Sequence, residues 1–219
     1  MRRFFTKKYI SSFKALLQWS AFLIRYRLPF SLRRNSAWSM DAKDFEGVID
    51  VLRGYRTGES VCVVELGAGV STLVLGHLLP RLYDDGHIIS IEGDESYAHH
   101  LHDLITSYKL DDVISLHHVP YADGDNGCWF SRDVLRRILD DKRVDILLVD
   151  APPGILCPRA RQPAIPFFLS YLEQDGIVLL HDTCRQDESD IFEEWSRYFN
   201  AHHRVETPRG LGVFTRPLR

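Results

Sequence analysis

The sequence predicts an α/β fold in which a doubly wound, mostly parallel sheet is covered by helices on both faces and finished by a C-terminal antiparallel hairpin. Three observations predict it. Apolar runs recur at "SVCVVEL", "GHIISIEGD", "DVISLHHVP", "VDILLVDAPP" and "DGIVLLHDT", and strands this continuously apolar are buried on both faces. Segments of helical periodicity separate them, the alternation that builds parallel sheets. The last stretch, "HRVETPRGLGVFTRP", reads instead as two strands joined around Arg209-Gly210, a hairpin at or near the sheet edge. With 219 residues and 45% hydrophobic content, the chain can bury one full core and carry an appendage.

The appendage comes first, over residues 1–36, with the main domain following over 37–219. Residues 1–40 hold nine of the 27 Lys and Arg and no acid, leaving 18 basic against 30 acidic residues for the rest. A basic tail on an acidic body suggests an anionic surface or partner for the tail and argues against nucleic acid as the ligand of the body. Within the tail, Lys7, Ser11, Lys14, Gln18 and Arg25 fall on one helical stripe, while Phe13, Leu16, Leu17, Ala21 and Ile24 fall on another. The apolar run from Ala15 to Ile24 is too short to cross a bilayer, and it lacks a secretory cleavage site. An acid-free, Arg-rich stretch of this kind also suits a transit peptide. Otherwise such a helix can lie on an anionic membrane, dock on a partner protein, or pack on its own domain. Pro29 ends it, and "SLRRNS" reads as a linker.

In the body, "AWSMDAKDFEGVIDVLRGY" has helical periodicity, the strand "SVCVVEL" follows, and "STLVLGHLLPRLY" is a helix. The strand "GHIISIEGD", a helix from Glu95 to Tyr108, and the strand "DVISLHHVP" come next. "YADGDNGCW" reads as a loop before the helix "SRDVLRRILDD". The segment "PAIPFFLSYLEQ" between the last two apolar strands is helical after Pro166, and "DIFEEWSRYF" is the final helix. Cys62, Cys128, Cys157 and Cys184 show no paired spacing, which fits a reduced, cytoplasmic setting. His99, His100, His102, His117 and His118 likewise lack metal-site spacing.

In such sheets ligands sit at the carboxyl ends of the strands. Those ends carry Glu65 with the glycine turn of Gly67 and Gly69, then Glu92 and Asp94, Tyr121 and Asp123, Asp150, and Asp182. A strand, a glycine turn and a helix opening with Ser71 and Thr72 usually cradle an anion, yet Glu65 puts a carboxylate at that lip. Glu92 suits a ribose. Glu65 is then surplus for a dinucleotide, whereas a ligand with both a ribose and a positive charge, such as S-adenosylmethionine, accounts for both acids.

The motifs "VVELGAGVST", "IISIEGDE", "VDILLVDAPPG", "DGIVLLHDT" and the "RGLGVF" hairpin, in this order, resemble the class I S-adenosylmethionine-dependent methyltransferases over residues 40–219. That resemblance implies a Rossmann-like, seven-stranded sheet of order 3-2-1-4-5-7-6. It puts Glu65, Gly67, Gly69, Ser71, Thr72 and Asp150 at the cofactor and Glu92 on the ribose hydroxyls. A narrower similarity, in "DAPPG", Arg161 to Ile165 and "HDTCRQDE", is to methyltransferases of polysaccharide gene clusters and, more distantly, glucuronoxylan O-methyltransferases. Their HD-x-x-R-x-x-E signature is met by His181, Asp182, Arg185 and Glu188.

The reaction so implied is O-methylation of a glycan or glycoconjugate hydroxyl, at the membrane if the substrate is lipid-linked. Asp150 and Asp182 end neighbouring strands and could share Mg²⁺ or another divalent cation that acidifies the hydroxyl. Metal-dependent catechol-type relatives have these acids, but their following Asn is Thr183 here. Without metal, His181 or Asp182 is the candidate general base beside Asp150. Arg161, Arg185 and the face of Trp129 are candidates for holding the acceptor. Methylation of another small molecule or an amine, a nicotinamide-dependent oxidoreductase, and a non-catalytic binding subunit are the alternatives.

Overall fold

The computed structural model describes residues 15–32, 40–56, 60–123 and 127–215. Phe13, Lys7, Ser11 and Lys14 of the tail, and most of the "SLRRNS" linker, lie outside the described residues. The helices are α1 over 15–25, α2 (Ala42–Gly54), α3 (Val70–Leu82), α4 (Glu95–Ser107), α5 (Arg132–Leu139), α6 (Ala164–Phe168) and α7 (Gln186–Trp195). The strands are β1 (Ser60–Leu66), β2 (Asp85–Glu92), β3 (Ile114–His118), β4 (Tyr121–Asp123), β5 (Trp129–Phe130), β6 (Val144–Val149), β7 (Leu172–His181), β8 (Ala201–Val205) and β9 (Leu211–Thr215). Seven of them form one sheet in the order β3-β2-β1-β6-β7-β9-β8. Numbered among themselves, these run 3-2-1-4-5-7-6, and only the pairs involving β9 are antiparallel.

The double winding follows from the period-two alternation of side chains along a strand. Val61, Val63, Ile146, Leu148 and Leu179 face a core shared with α1 to α4. Val64, Leu66, Leu147, Val149, Val178 and Leu180 face the opposite core with α5, α6 and α7. Strands buried on both sides need an apolar residue at nearly every position, which is why their sequences look unbroken.

Four expectations change. The apolar stripe of α1 is not the buried one: Leu16, Leu17, Ala21 and Ile24 face solvent, while Trp19, Phe22, Leu23 and Tyr26 are buried. The helix carries two candidate stripes, and the one rich in aromatic area wins, with Trp19 and Phe22 packing 5.5 and 5.7 Å from Phe45 of α2. The "YADGDNGCW" segment is no plain loop, because β4 and β5 pair antiparallel. The helix after β6 is only five residues long and contains Pro166, and β7 starts earlier than expected, at Leu172. Cys128 and Cys157 are joined as a disulfide between the β4–β5 segment and the loop after β6. Cys62 and Cys184 are free. Sequence spacing could not reveal that pair, because only the fold brings those two loops together.

Candidate active site

The glycine turn between β1 and α3 is fixed from three sides. Gly67 has φ of 100°, and a Cβ there would lie 2.8 Å from the Ala151 Cβ, so both conformation and space require glycine. The Gly67 and Ala68 N–H groups donate to the Ile91 carbonyl at 2.9 and 3.2 Å. The third brace is Glu65. Its parity is that of Val63, so its side chain points toward α3, beneath the turn rather than onto its lip. Thr72 Oγ1 and Ser90 Oγ each donate to Glu65 Oε2 at 2.6 Å, and Thr72 Oγ1 in turn accepts from the Gly69 N–H at 2.8 Å. Burial, reinforced by the charge of Asp150, outweighs the hydroxyl bonds and pushes the Glu65 carboxyl up to about 7. Glu65 and Thr72 are therefore turn braces, and neither lines the cavity above them.

That cavity has a volume of about 370 Å³. Gly67, Gly69, Ser71, Glu92 and Asp150 line it, joined by Met40, Asp94, Tyr97, Tyr121, Pro153 and Leu156. Glu92 ends β2, its Oε1 accepts the Asp94 N–H at 2.8 Å, and burial raises its carboxyl despite that bond. Gly93 is needed because a Cβ there would overlap the Tyr121 ring. Tyr121 was legible as a strand-end residue. Met40 and Tyr97 were not, since Met40 comes from the segment just before the Asp41 cap of α2 and Tyr97 from the first turn of α4, neither with a chemical signature.

Beside the cavity lies a buried charge cluster. Asp150, at the end of β6, is its only member that lines the cavity. His181 Nδ1 lies 2.9 Å from Asp150 Oδ1, and Arg161 Nη2 lies 3.1 Å from the same oxygen. On the other side His181 Nε2 is 3.4 Å from Asp44 Oδ2, an ion-pair distance without hydrogen-bond alignment. Asp44 is fixed there by its place in the first turn of α2, where it accepts the Asp41 N–H at 2.9 Å. Asp182, with φ of 67°, takes Arg209 Nε at 2.6 Å, Arg185 Nη1 at 2.9 Å and Arg161 Nη2 at 3.3 Å.

Burial alone would push the Asp150 carboxyl up, but His181 and Arg161 outweigh it and hold it at about 2. Burial would likewise lower His181, yet Asp150, Asp44 and Asp182 raise it to about 9. An imidazolium cannot accept a proton, so this upward shift argues against His181 as the general base. Asp182 is buried outside the cavity lining with both oxygens in ion pairs. Arg161 is buried and holds Asp150 rather than an acceptor. Trp129 belongs to the core with no face to offer. Arg159 pairs with Glu194, outside the cavity lining. Arg185 is half exposed, but it too pairs with an acid, Asp182, and lies outside the cavity lining.

The two acids do not fit a divalent cation. Ligating atoms of Asp150, His181 and Asp182 lie within 4.8 Å of one another, which satisfies distance alone. One oxygen of each acid, Asp150 Oδ1 and Asp182 Oδ2, already shares the Arg161 guanidinium, which puts a permanent cation between them.

A parallel seven-stranded sheet with one reversed strand, a glycine turn after β1 and acids ending β2 and β6 together define the class I methyltransferase architecture. Residues 64–183 match the family model described as a methyltransferase domain, and the chain belongs to that family. No curated protein matches it in sequence. Among solved structures, a Klebsiella pneumoniae protein crystallised as a candidate O-methyltransferase is similar at TM-score 0.62 and 15% identity, covering 90% of this chain and 87% of that one. A Bacillus cereus O-methyltransferase in complex with SAH is similar at TM-score 0.62 and 11% identity, covering 91% and 90%. The Streptomyces achromogenes O-methyltransferase TomG, involved in tomaymycin synthesis and solved with SAM, gives 0.59 and 13%, covering 93% and 90%. At these identities the likeness is one of fold.

Proposed function

We propose that this chain is an S-adenosylmethionine-dependent O-methyltransferase acting on a sugar hydroxyl of a glycan or glycoconjugate. The observation that carries the reading is the convergence of Gly67, Gly69, Ser71 and Glu92 on one cavity that Asp150 borders from the adjacent strand. The residues suit this cofactor. Gly67 clears space that no Cβ could share, Glu92 offers a carboxylate to two ribose hydroxyls, and the volume lies within the range of small-ligand sites. When bound, the cofactor supplies an electrophilic methyl group on a sulfonium.

The chain's own task is alignment and proton removal. Asp150 is the cluster carboxylate that reaches the cavity, and it accepts the hydrogen bond of the acceptor hydroxyl. Held near 2, it is a weak base toward an alcohol. As the new C–O bond forms, however, the oxygen gains positive charge and its proton becomes strongly acidic, so transfer to Asp150 late in the reaction is downhill. His181 and Arg161 keep Asp150 ionised until then.

The sugar acceptor rests on the His181-Asp182-x-x-Arg185-x-x-Glu188 resemblance and on the half-exposed Arg185. A lipid-linked substrate is supported by Ile155 and Leu156, exposed by 93% and 47% on the loop beside the cavity. Peripheral membrane contact is supported by the exposed Leu17, Ile24 and Phe30 at the basic end of the chain. Among the described residues no helix is long and apolar enough to cross a membrane.

Calorimetric titration with S-adenosylhomocysteine and with NAD tests the cofactor. Binding of the first alone is expected, and binding of NAD alone would overturn the reading. Glu92→Ala should weaken S-adenosylhomocysteine by about ten- to a hundredfold, from loss of hydrogen bonds to a charged group. Transfer of labelled methyl into a glycan fraction tests the acceptor, and label appearing only in other small molecules would refute the sugar.

A further inference from the structure

We infer that the position between Asp150 and Asp182 belongs to the protein's own Arg161, and that this chain transfers methyl without a divalent cation. The inference rests on the methyltransferase reading above and deepens it. A bridging Mg²⁺ would need one oxygen from each acid at about 2.1 Å. Arg161 Nη2 already approaches Asp150 Oδ1 at 3.1 Å and Asp182 Oδ2 at 3.3 Å, joining the two carboxylates through one nitrogen.

The remaining edges of the guanidinium are tied as well. Nη1 donates to the His181 carbonyl at 2.9 Å and Nε to the Pro152 carbonyl at 3.2 Å, with Glu188 Oε1 at 3.7 Å from Nε. The side chain is 3% exposed. It cannot swing into solvent without stripping these partners, and a guanidinium does not lose its proton to make room.

Asp182 is closed from its outer side too. Arg209 lies at Oδ1 and Arg185 at Oδ2, so with Arg161 an entering dication would meet three positive groups at one carboxylate. A planar, permanently charged fork can orient two carboxylates as a metal does. It supplies no Lewis acidity to a bound hydroxyl, which is consistent with late proton transfer to Asp150.

The test is titration of Mn²⁺ into the full chain saturated with S-adenosylhomocysteine, read by loss of the free-ion paramagnetic resonance signal. No saturable Mn²⁺ site is expected in the wild type, and the melting temperature should be the same in Mn²⁺ and in chelator. One equivalent of tightly held Mn²⁺ would overturn the inference. In Arg161→Met, which removes the charge but keeps much of the volume, a saturable Mn²⁺ site should appear. A folded Arg161→Met that still binds no Mn²⁺ would show that the guanidinium is not what fills the position. Should this variant fail to fold, the wild-type titration and melting comparison decide alone. Loss of S-adenosylhomocysteine binding would instead sink the methyltransferase reading, so the two failures remain distinct.

Discussion

Glu65 and Asp150 end adjacent parallel strands, both buried from bulk water to a large degree, yet their carboxyls are driven in opposite directions. Glu65 meets neutral hydroxyls from Thr72 and Ser90, and burial wins, raising it to about 7. Asp150 meets Arg161 and His181, and the cations win, holding it at about 2. Burial therefore does not decide what a carboxyl does. The charge of its partners does, and here it separates a scaffold acid from a reactive one.

The largest break in this comparison is Arg161→Ala. Removing the guanidinium strips the buried Glu188 of its cation and takes one cation each from Asp150 and Asp182, which should cost about 3–5 kcal/mol in urea denaturation. A cost near zero would mean that the guanidinium contributes little.

Next in size is the pH dependence set by His181. Its pKa in the folded protein is raised above the unfolded value, so its contribution is complete below about pH 6.5 and fades as pH rises through about 9. Melting temperatures from pH 6 to 10 should fall over that window in the wild type and fall less in His181→Gln. Equal slopes would remove the imidazolium from the account.

Glu65 carries the same sign in a lower window. Its raised pKa means that the folded state holds a proton the unfolded chain has already released, so stability declines as pH rises from about 4.5 to about 7 and then levels off. Glu65→Gln should flatten that decline, and an unchanged profile would show that Glu65 stays ionised throughout. The smallest effect is expected for Thr72→Ser, which keeps the hydroxyl linking Gly69 to Glu65 and should cost under about 1 kcal/mol, against about 1–3 kcal/mol for Thr72→Val, which leaves buried polar groups unpaired. Equal losses would mean that the methyl contacts of Thr72, not its hydroxyl, hold the turn.

Strand order and strand ends were legible because apolar runs and glycine turns are local signals, and Gly67, Glu92 and Asp150 stand where those signals put them. Orientation and partnership were not. Glu65 lies at the expected strand end, but its side chain points beneath the glycine turn toward Thr72 and Ser90 rather than into the cavity lining, a matter of parity against α3 that no motif states. Asp44 reads as an ordinary first-turn acid of a helix, and only the fold carries it to His181. The acids were visible, and their cations, scattered over Arg161, Arg185 and Arg209, were not.

The C-terminal hairpin has a consequence for how the protein is made. Arg209, between β8 and β9, donates its side chain to Asp182 and its backbone N–H to Asp44 at 3.3 Å, so the hairpin made after the other strands of the sheet latches onto α2 at the start of the body. Nascent chains that stop short of this point hold β1, β2 and β6 but lack β9, the strand that pairs with β7. The cluster beside the cavity therefore reaches its full set of charges only after β8 has been made, so assembly of the candidate active site waits on a long-range closure across the body.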